Sequence, residues 1–246
     1  MSSLLKVENL SCRYTEKWVV EDVNMHVELG EVVLLVGLNG CGKSSILNGV
    51  MGTIRTCPKS RIKFNERDIS NWSTSSRSRA GIRYLRQGKN CFLNLTIGQN
   101  LRAAHLGNDQ GFNMEREMVF EIFPFLRTLE SKCAALLSGG ERQTLALAMT
   151  LMEPAKMMLL DEPVAGLDDV ASERIIQALQ VISSEQKMGL LIVEHDIMNI
   201  LPLVDRVVLM TSGRIVHSKL EPERLLDPLF YESIYINGND GLYNNG

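Results

Sequence analysis

An α/β fold is predicted, with a mainly parallel sheet flanked by helices, an N-terminal antiparallel β-layer and an inserted helical subdomain. Three observations predict it. The apolar run Glu31-Val-Val-Leu-Leu-Val36 leads through a glycine-rich loop into Ser45-Ile-Leu-Asn-Gly-Val-Met51, a strand, loop and helix in series. Met157-Met-Leu-Leu160 and Leu190-Leu-Ile-Val193 are short and wholly apolar, as strands covered on both faces must be. Leu4–Leu10 instead alternates enough to be a strand, and two more strands before Gly30 make an antiparallel start that suggests a β-layer laid against the α/β core.

The loop reads Gly37-Leu-Asn-Gly-Cys-Gly-Lys43-Ser44, which is G-x-x-x-x-G-K-[ST] between a strand and a helix. This marks a P-loop NTPase core. Gly37, Gly40 and Gly42 let the chain curl so that the backbone N–H groups of Leu38, Asn39, Cys41 and their neighbours face one phosphate-sized cup. The following helix, with Ser45 in its first turn, turns its positive end to the same place. Lys43 brings a mobile cation to the phosphate oxygens, and the Ser44 hydroxyl is placed to ligate Mg²⁺. A nucleotide's β- and γ-phosphates and Mg²⁺ are therefore the expected occupants of the cup.

In chain order, Leu4–Leu10 reads as a strand, and 18–23 and 24–27 as two more. Gly30 turns the chain into the P-loop strand. Arg61-Ile-Lys-Phe64 is a further strand, and 70–78 is serine-rich, a loop or a short capped helix. Gly81-Ile-Arg-Tyr-Leu85 is a strand ending at Gln87, after which helical patterning dominates, with helices expected over 97–104 and 114–129. Ser138 is a natural N-cap and Glu141, three residues on, completes a capping box for a helix running to about Met152. Asp169 to Gln186 is a helix with Ile175, Ile176, Leu179 and Ile182 inward. A hairpin turns at Ser212-Gly213, an amphipathic helix is expected near 221–234, and the Asn- and Gly-rich end from Asn237 is expected to fray. The domain reading is one unit over 1–246. Its α/β core with β-layer takes 1–87 and 155–220, its helical subdomain 88–154, and its C-terminal helix and tail 221–246.

Composition narrows the classes. Apolar content of 45% with 22% charged residues suits a globular protein with ample core. A net charge of −3 gives no electrostatic reason to expect a nucleic-acid partner. Arg77, Arg79, Arg83 and Arg86 cluster, which reads as a solvated face or local ion pairs. No apolar run reaches the roughly 20 residues of a spanning helix, so any membrane role is expected through a partner. The five cysteines form no C-x-x-C pair and fit reduced thiols.

A carboxylate pair, Asp161-Glu162, follows a buried strand downstream of the P-loop, the second half of a nucleotide hydrolase. Asp161 is placed to hold Mg²⁺ opposite Ser44, and Glu162 to polarise the water that attacks the γ-phosphate. With these residues in view, the chain resembles the ATP-binding subunit of ATP-binding-cassette (ABC) transporters over nearly its whole length. Leu137-Ser-Gly-Gly-Glu141 is similar to the family's signature, Gln87 to its Q-loop glutamine and 165–168 to its D-loop, with Asp168 the acidic residue. His195 resembles the switch histidine and Tyr14 the adenine-stacking aromatic.

The resemblance implies an ATPase that works as a head-to-tail pair, a homodimer or a heterodimer with a second ABC ATPase. Two ATP molecules lie between the copies, each held by one P-loop and by the other copy's Leu137, Ser138, Gly139, Gly140 and Glu141. It implies that Gln87 touches Mg²⁺ and the water, that His195 bonds the γ-phosphate, and that transmembrane permeases are partners. That places the protein in the cytoplasm, peripheral on the inner face of the cell membrane. The stretch Arg86-Gln87-Gly-Lys-Asn-Cys-Phe92, then 93–97 and Asn100-Leu101, is similar to importers of branched-chain amino acids and polar solutes such as urea. Arg86 and Leu38 depart from the prolines usual at those places. Lipopolysaccharide-type exporters share His195 and its neighbour, and a soluble cluster-assembly ATPase is the alternative without a transporter.

Overall fold

In a computed structural model, residues 3–88, 90–195 and 197–230 are described. The mainly parallel sheet has the order β11-β10-β3-β9-β8-β7: Arg214–Leu220, Arg206–Thr211, Val32–Gly37, Gly189–Val193, Met157–Asp161 and Ile82–Leu85. All its pairings are parallel except that of the edge hairpin β10–β11. Pairing is in register, so side chains alternate between two cores. Val32, Leu34 and Val36 of β3 enter the core shared with the helical region, while Val33 and Leu35 enter the core beneath the second sheet. That second, antiparallel sheet has the order β2-β1-β5-β6: Trp18–Val27, Leu5–Arg13, Arg61–Phe64 and Arg67–Asp68, with β4, Arg55–Thr56, pairing β1.

Residues 18–27 form one strand rather than the expected two. Asp22 and Asn9 both take left-handed φ of 52°, and the β1–β2 register slips there. A slip of one residue moves the buried set from Val20 to Val23 and then to Met25 and Val27, which breaks strict alternation without ending the ladder. Ser11 Oγ accepts from Asp22 N, and Asn24 Oδ1 from Asn9 N, so the bulge leaves neither amide unpaired.

Helix α1, Lys43–Met51, follows the P-loop, and the serine-rich segment supplies α2, Thr74–Arg79, capped by Ser73. The helical region holds α3, Ile97–Ala104, α4, Asp109–Ile122, α5, Pro124–Thr128, and α6, Gly139–Thr150. The one helix expected over 114–129 is therefore two. Pro124 forces Phe123 out of helical geometry (φ −126°, ψ 71°), and Asn108 caps α4 five residues earlier than expected. Helix α7, Asp169–Ser184, returns to the sheet with Ile175, Leu179 and Ile182 buried and Ile176 half-buried. The expected helix at 221–234 begins instead as a 3₁₀ turn, Pro222–Leu226, and Asp227 before Pro228 is extended. Residues 228–230 are helical again, and the rest of the expected helix from 231, with the Asn/Gly-rich end, lies outside the described residues.

Arg77 corrects the expectation of a solvated arginine face. It is only 2% exposed, and its guanidinium donates to the carbonyls of Gly49, Val50, Ser70 and Trp72 at 2.6–3.2 Å. Two of these, Gly49 and Val50, are among the last four carbonyls of α1, so Arg77 caps the P-loop helix through tertiary contact. Burial lowers its pKa without threatening its charge. Arg77→Ala is expected to cost about 3–5 kcal/mol and to lower the melting temperature by roughly 10 °C. Thermal unfolding of the nucleotide-free chain checks this; a shift under about 2 °C rejects the capping role.

Candidate active site

The P-loop is built by β3 meeting β10. Gly37 lies opposite Met210 in the parallel ladder, and a Cβ there would stand 2.2 Å from the Met210 carbonyl oxygen, so the turn admits only glycine. Lys43 is 5% exposed and donates from Nζ to the carbonyls of Gly37 and Leu38 at 2.8 and 3.0 Å. It thereby folds back across the cup, and burial lowers its pKa. A cleft of about 530 Å³ opens over this loop, and Gln87, Glu162 and His195 line its other side.

The carboxylates diverge as their adjacency demands. Asp161 ends β8, 4% exposed, accepting from Ser44 Oγ at 2.9 Å and from Tyr84 Oη at 3.2 Å. Burial raises its pKa, against the pull of those two hydrogen bonds. A hydroxyl and a carboxylate meeting beside the phosphate cup are the hard oxygen donors that Mg²⁺ takes, so these residues fit the ion and would hold it there.

Glu162 takes the left-handed region at φ 54°, a conformation costing a β-carbon-bearing residue about 1–2 kcal/mol. Its amide donates to Val193 O at 2.8 Å, which holds the turn. The turn swings its carboxylate away from Asp161 and toward Gln87 and His195. Gln87 Nε2 donates to Glu162 Oε2, leaving the carboxamide oxygen available to a metal. His195 Nε2 lies 3.0 Å from Glu162 Oε1.

The remaining candidates lie elsewhere. Tyr14 is 57% exposed between β1 and β2, and its hydroxyl accepts from Asn48 at 3.3 Å and from Ser45 at 3.4 Å. Its phenol is tethered to α1, and its ring is left open beside the P-loop helix. Ser138 caps α6 with both bonds of a capping box to Glu141. Ser138 and Gly139 are exposed, and neither lines the P-loop cleft. A Cβ on Gly140 would stand 2.4 Å from Ala171 Cβ, so this glycine lets α6 close on α7. Asp168 caps α7, accepting from Ala171 N at 2.8 Å.

Sequence reasoning passed over two residues of the site. Tyr84 pairs with Leu159 across β7 and β8, which puts its side chain on the face of Asp161 two residues on. That signal was present in Tyr84 standing three residues before Gln87 on a strand, but it needs the strand order. Gln143 Nε2 donates to Pro163 O at 3.1 Å and ties the signature helix to the residue after Glu162.

Comparison with known proteins places this arrangement. A family model described as ABC transporter matches residues 20–165. The chain belongs to the ABC transporter family. This ABC ATPase is 32% identical to the probable branched-chain amino acid transport ATP-binding protein LivF of Archaeoglobus fulgidus, over 90% of this chain and 94% of that one. It is equally 32% identical to the lipopolysaccharide export system ATP-binding protein LptB of Escherichia coli K12, over 91% and 93% of the two chains. Among solved structures, a nucleotide-free ATP-binding cassette superposes with a TM-score of 0.82 at 26% identity, covering 96% of this chain and 99% of that one. The ADP conformation of another such cassette gives 0.79 at 27% identity, with the same coverages. The ABC ATPase has no helix long and apolar enough to cross a membrane among the described residues.

Proposed function

We propose that this chain is the motor subunit of a transporter, working head to tail with a second copy or a second ABC ATPase on two shared ATP molecules. The observation that carries the reading is the Ser138-Gly139 cup. It is a helix start with a complete capping box, exposed and apart from the chain's own P-loop cleft. Such a cup binds anions, and the chain's own triphosphate belongs to the cup at Gly37–Lys43, so Ser138 serves a nucleotide held by the other copy.

In this reading Lys43 leaves the Gly37 and Leu38 carbonyls for the phosphates, and Tyr14 stacks on adenine. Ser44 and Asp161, with the Gln87 oxygen, hold Mg²⁺, whose charge offsets that of the triphosphate. Glu162 takes the proton of the attacking water, while His195 and Gln87 orient its carboxylate. Asp168 joins the two sites across the interface. The unit spans 1–246, its core from 1–87 and 155–220 and its helical lobe from 88–154. Permeases in the membrane receive the motion, with the ATPase peripheral on their cytoplasmic side.

Import of branched-chain amino acids or related polar solutes is the favoured cargo, supported by the LivF likeness and by 30% identity to the Pseudomonas aeruginosa protein BraG. Lipopolysaccharide-type export is the second reading, supported by the equal identity to LptB. Affinity purification of the chain from its own host in mild detergent tests the assignment. The expected result is a stoichiometric polytopic membrane protein in the eluate, whose identity separates the two cargoes. Recovery without one, as a stand-alone ATPase, favours cluster assembly.

A further inference from the structure

The sheet strands β8 and β9 lie side by side, with Asp161 opposite Val193, and each delivers one half of the Glu162–His195 pair. Between the two halves sits Glu194. It is 1% exposed, so its carboxylate meets neither solvent nor the open cleft. One oxygen, Oε2, accepts from Val164 N at 3.1 Å, and the other, Oε1, accepts from His195 N at 2.9 Å. Val164 is two residues past Glu162 and follows the Pro163 carbonyl that Gln143 holds. The Glu162 amide is meanwhile bonded to Val193 O, the residue before Glu194. The turn that carries the carboxylate and the turn that carries the imidazole are thus stapled together at both ends of a strained residue.

We propose that Glu194 is a positioning residue for ATP hydrolysis, its two oxygens fixing the backbone of the Glu162 turn against that of the His195 turn. The inference rests on reading Glu162 and His195 as the pair that acts on water. Burying a carboxylate is costly unless fixed donors meet it. A carboxylate is also the side chain that offers two acceptors and no donor to two converging N–H groups. A carboxamide of the same shape turns an NH₂ group against one of those amides, so that amide is left buried without its acceptor. The His195–Glu162 contact then loosens, while the P-loop, to which neither of the two amides held by Glu194 belongs, keeps its geometry.

The test is steady-state hydrolysis of Mg·ATP by the full chain, comparing wild type with Glu194→Gln, His195→Ala, the double variant and Glu162→Gln. Glu194→Gln is expected to lower kcat about tenfold or more, with KM for ATP held within about twofold. Combined with His195→Ala, the loss is expected to fall well short of the product of the single losses, because both act on one contact. Wild-type kcat in Glu194→Gln, a rise in KM matching the fall in kcat, or fully multiplicative losses overturns the proposal. Glu162→Gln separates the two failures. If it is inactive while Glu194→Gln turns over normally, the positioning role alone falls. If Glu162→Gln is active, the assignment of the pair falls and takes the positioning role with it. Where Glu194→Gln does not fold, Glu194→Asp carries the same reading: both acceptors remain but are withdrawn by a methylene. A reduced kcat with KM held supports the proposal, and full kcat overturns it.

Discussion

Glu162→Gln is expected to lower ATP turnover by about 10²–10⁴-fold, the contribution of a positioned general base, while leaving ATP binding intact. The substitution keeps the shape of the side chain at its left-handed backbone position, so Lys43, Ser44 and Asp161 stay where they are. What disappears is the acceptor that takes the proton of the water, together with one of the two contacts from Gln87 and His195, since an NH₂ group cannot accept. ATP held without hydrolysis keeps both cups occupied. The variant is expected to elute at twice the monomer mass with Mg·ATP and as a monomer with ADP. Turnover within about twofold of wild type would remove Glu162 from the role of base.

Ser138→Arg is expected to abolish ATP-dependent dimerisation and, with it, hydrolysis. The space in front of the cup is open, with nothing within 4 Å of a Cβ on Gly139, so an arginine side chain fills the approach that a triphosphate needs. The affinity of one chain for ATP is expected to stay within about twofold, because Ser138 lies outside the P-loop cleft. Replacing Ser138 also removes the acceptor for Glu141 N, worth about 1 kcal/mol of capping. Ser138→Ala is the control: it loses the cap alone and is expected to keep a weakened dimer. Equilibrium sedimentation with and without ATP, in the Glu162→Gln background, reads both variants. Dimerisation unchanged in Ser138→Arg would refute the shared-nucleotide arrangement.

Local chemistry was legible in the residues to the extent that a short stretch specifies it. The P-loop needs its glycines, lysine and serine within eight consecutive positions, and the capping box at Ser138 and Glu141 lies within one helical turn. The apolar runs at β3, β8 and β9 declared themselves because a strand covered on both faces has no polar alternate residues. Where one residue shifts the pattern, the reading slipped. The bulge at Asp22 split one strand into two, and Pro124 divided one helix into two.

Composition, loop chemistry and periodicity in the chain determined an α/β protein with a P-loop and singled out its candidate site residues, the P-loop, the Asp161-Glu162 pair and the helix start at Ser138. The tertiary structure decided what those groups touch. It buried Arg77 beneath the P-loop helix, set Tyr84 and Ser44 on Asp161, and put Glu194 between the turns of Glu162 and His195. The physical reason is that a periodic pattern gives the face on which a side chain lies. Which carbonyl or amide waits there depends on strand order and register, and these join residues as far apart as Tyr84 and Asp161.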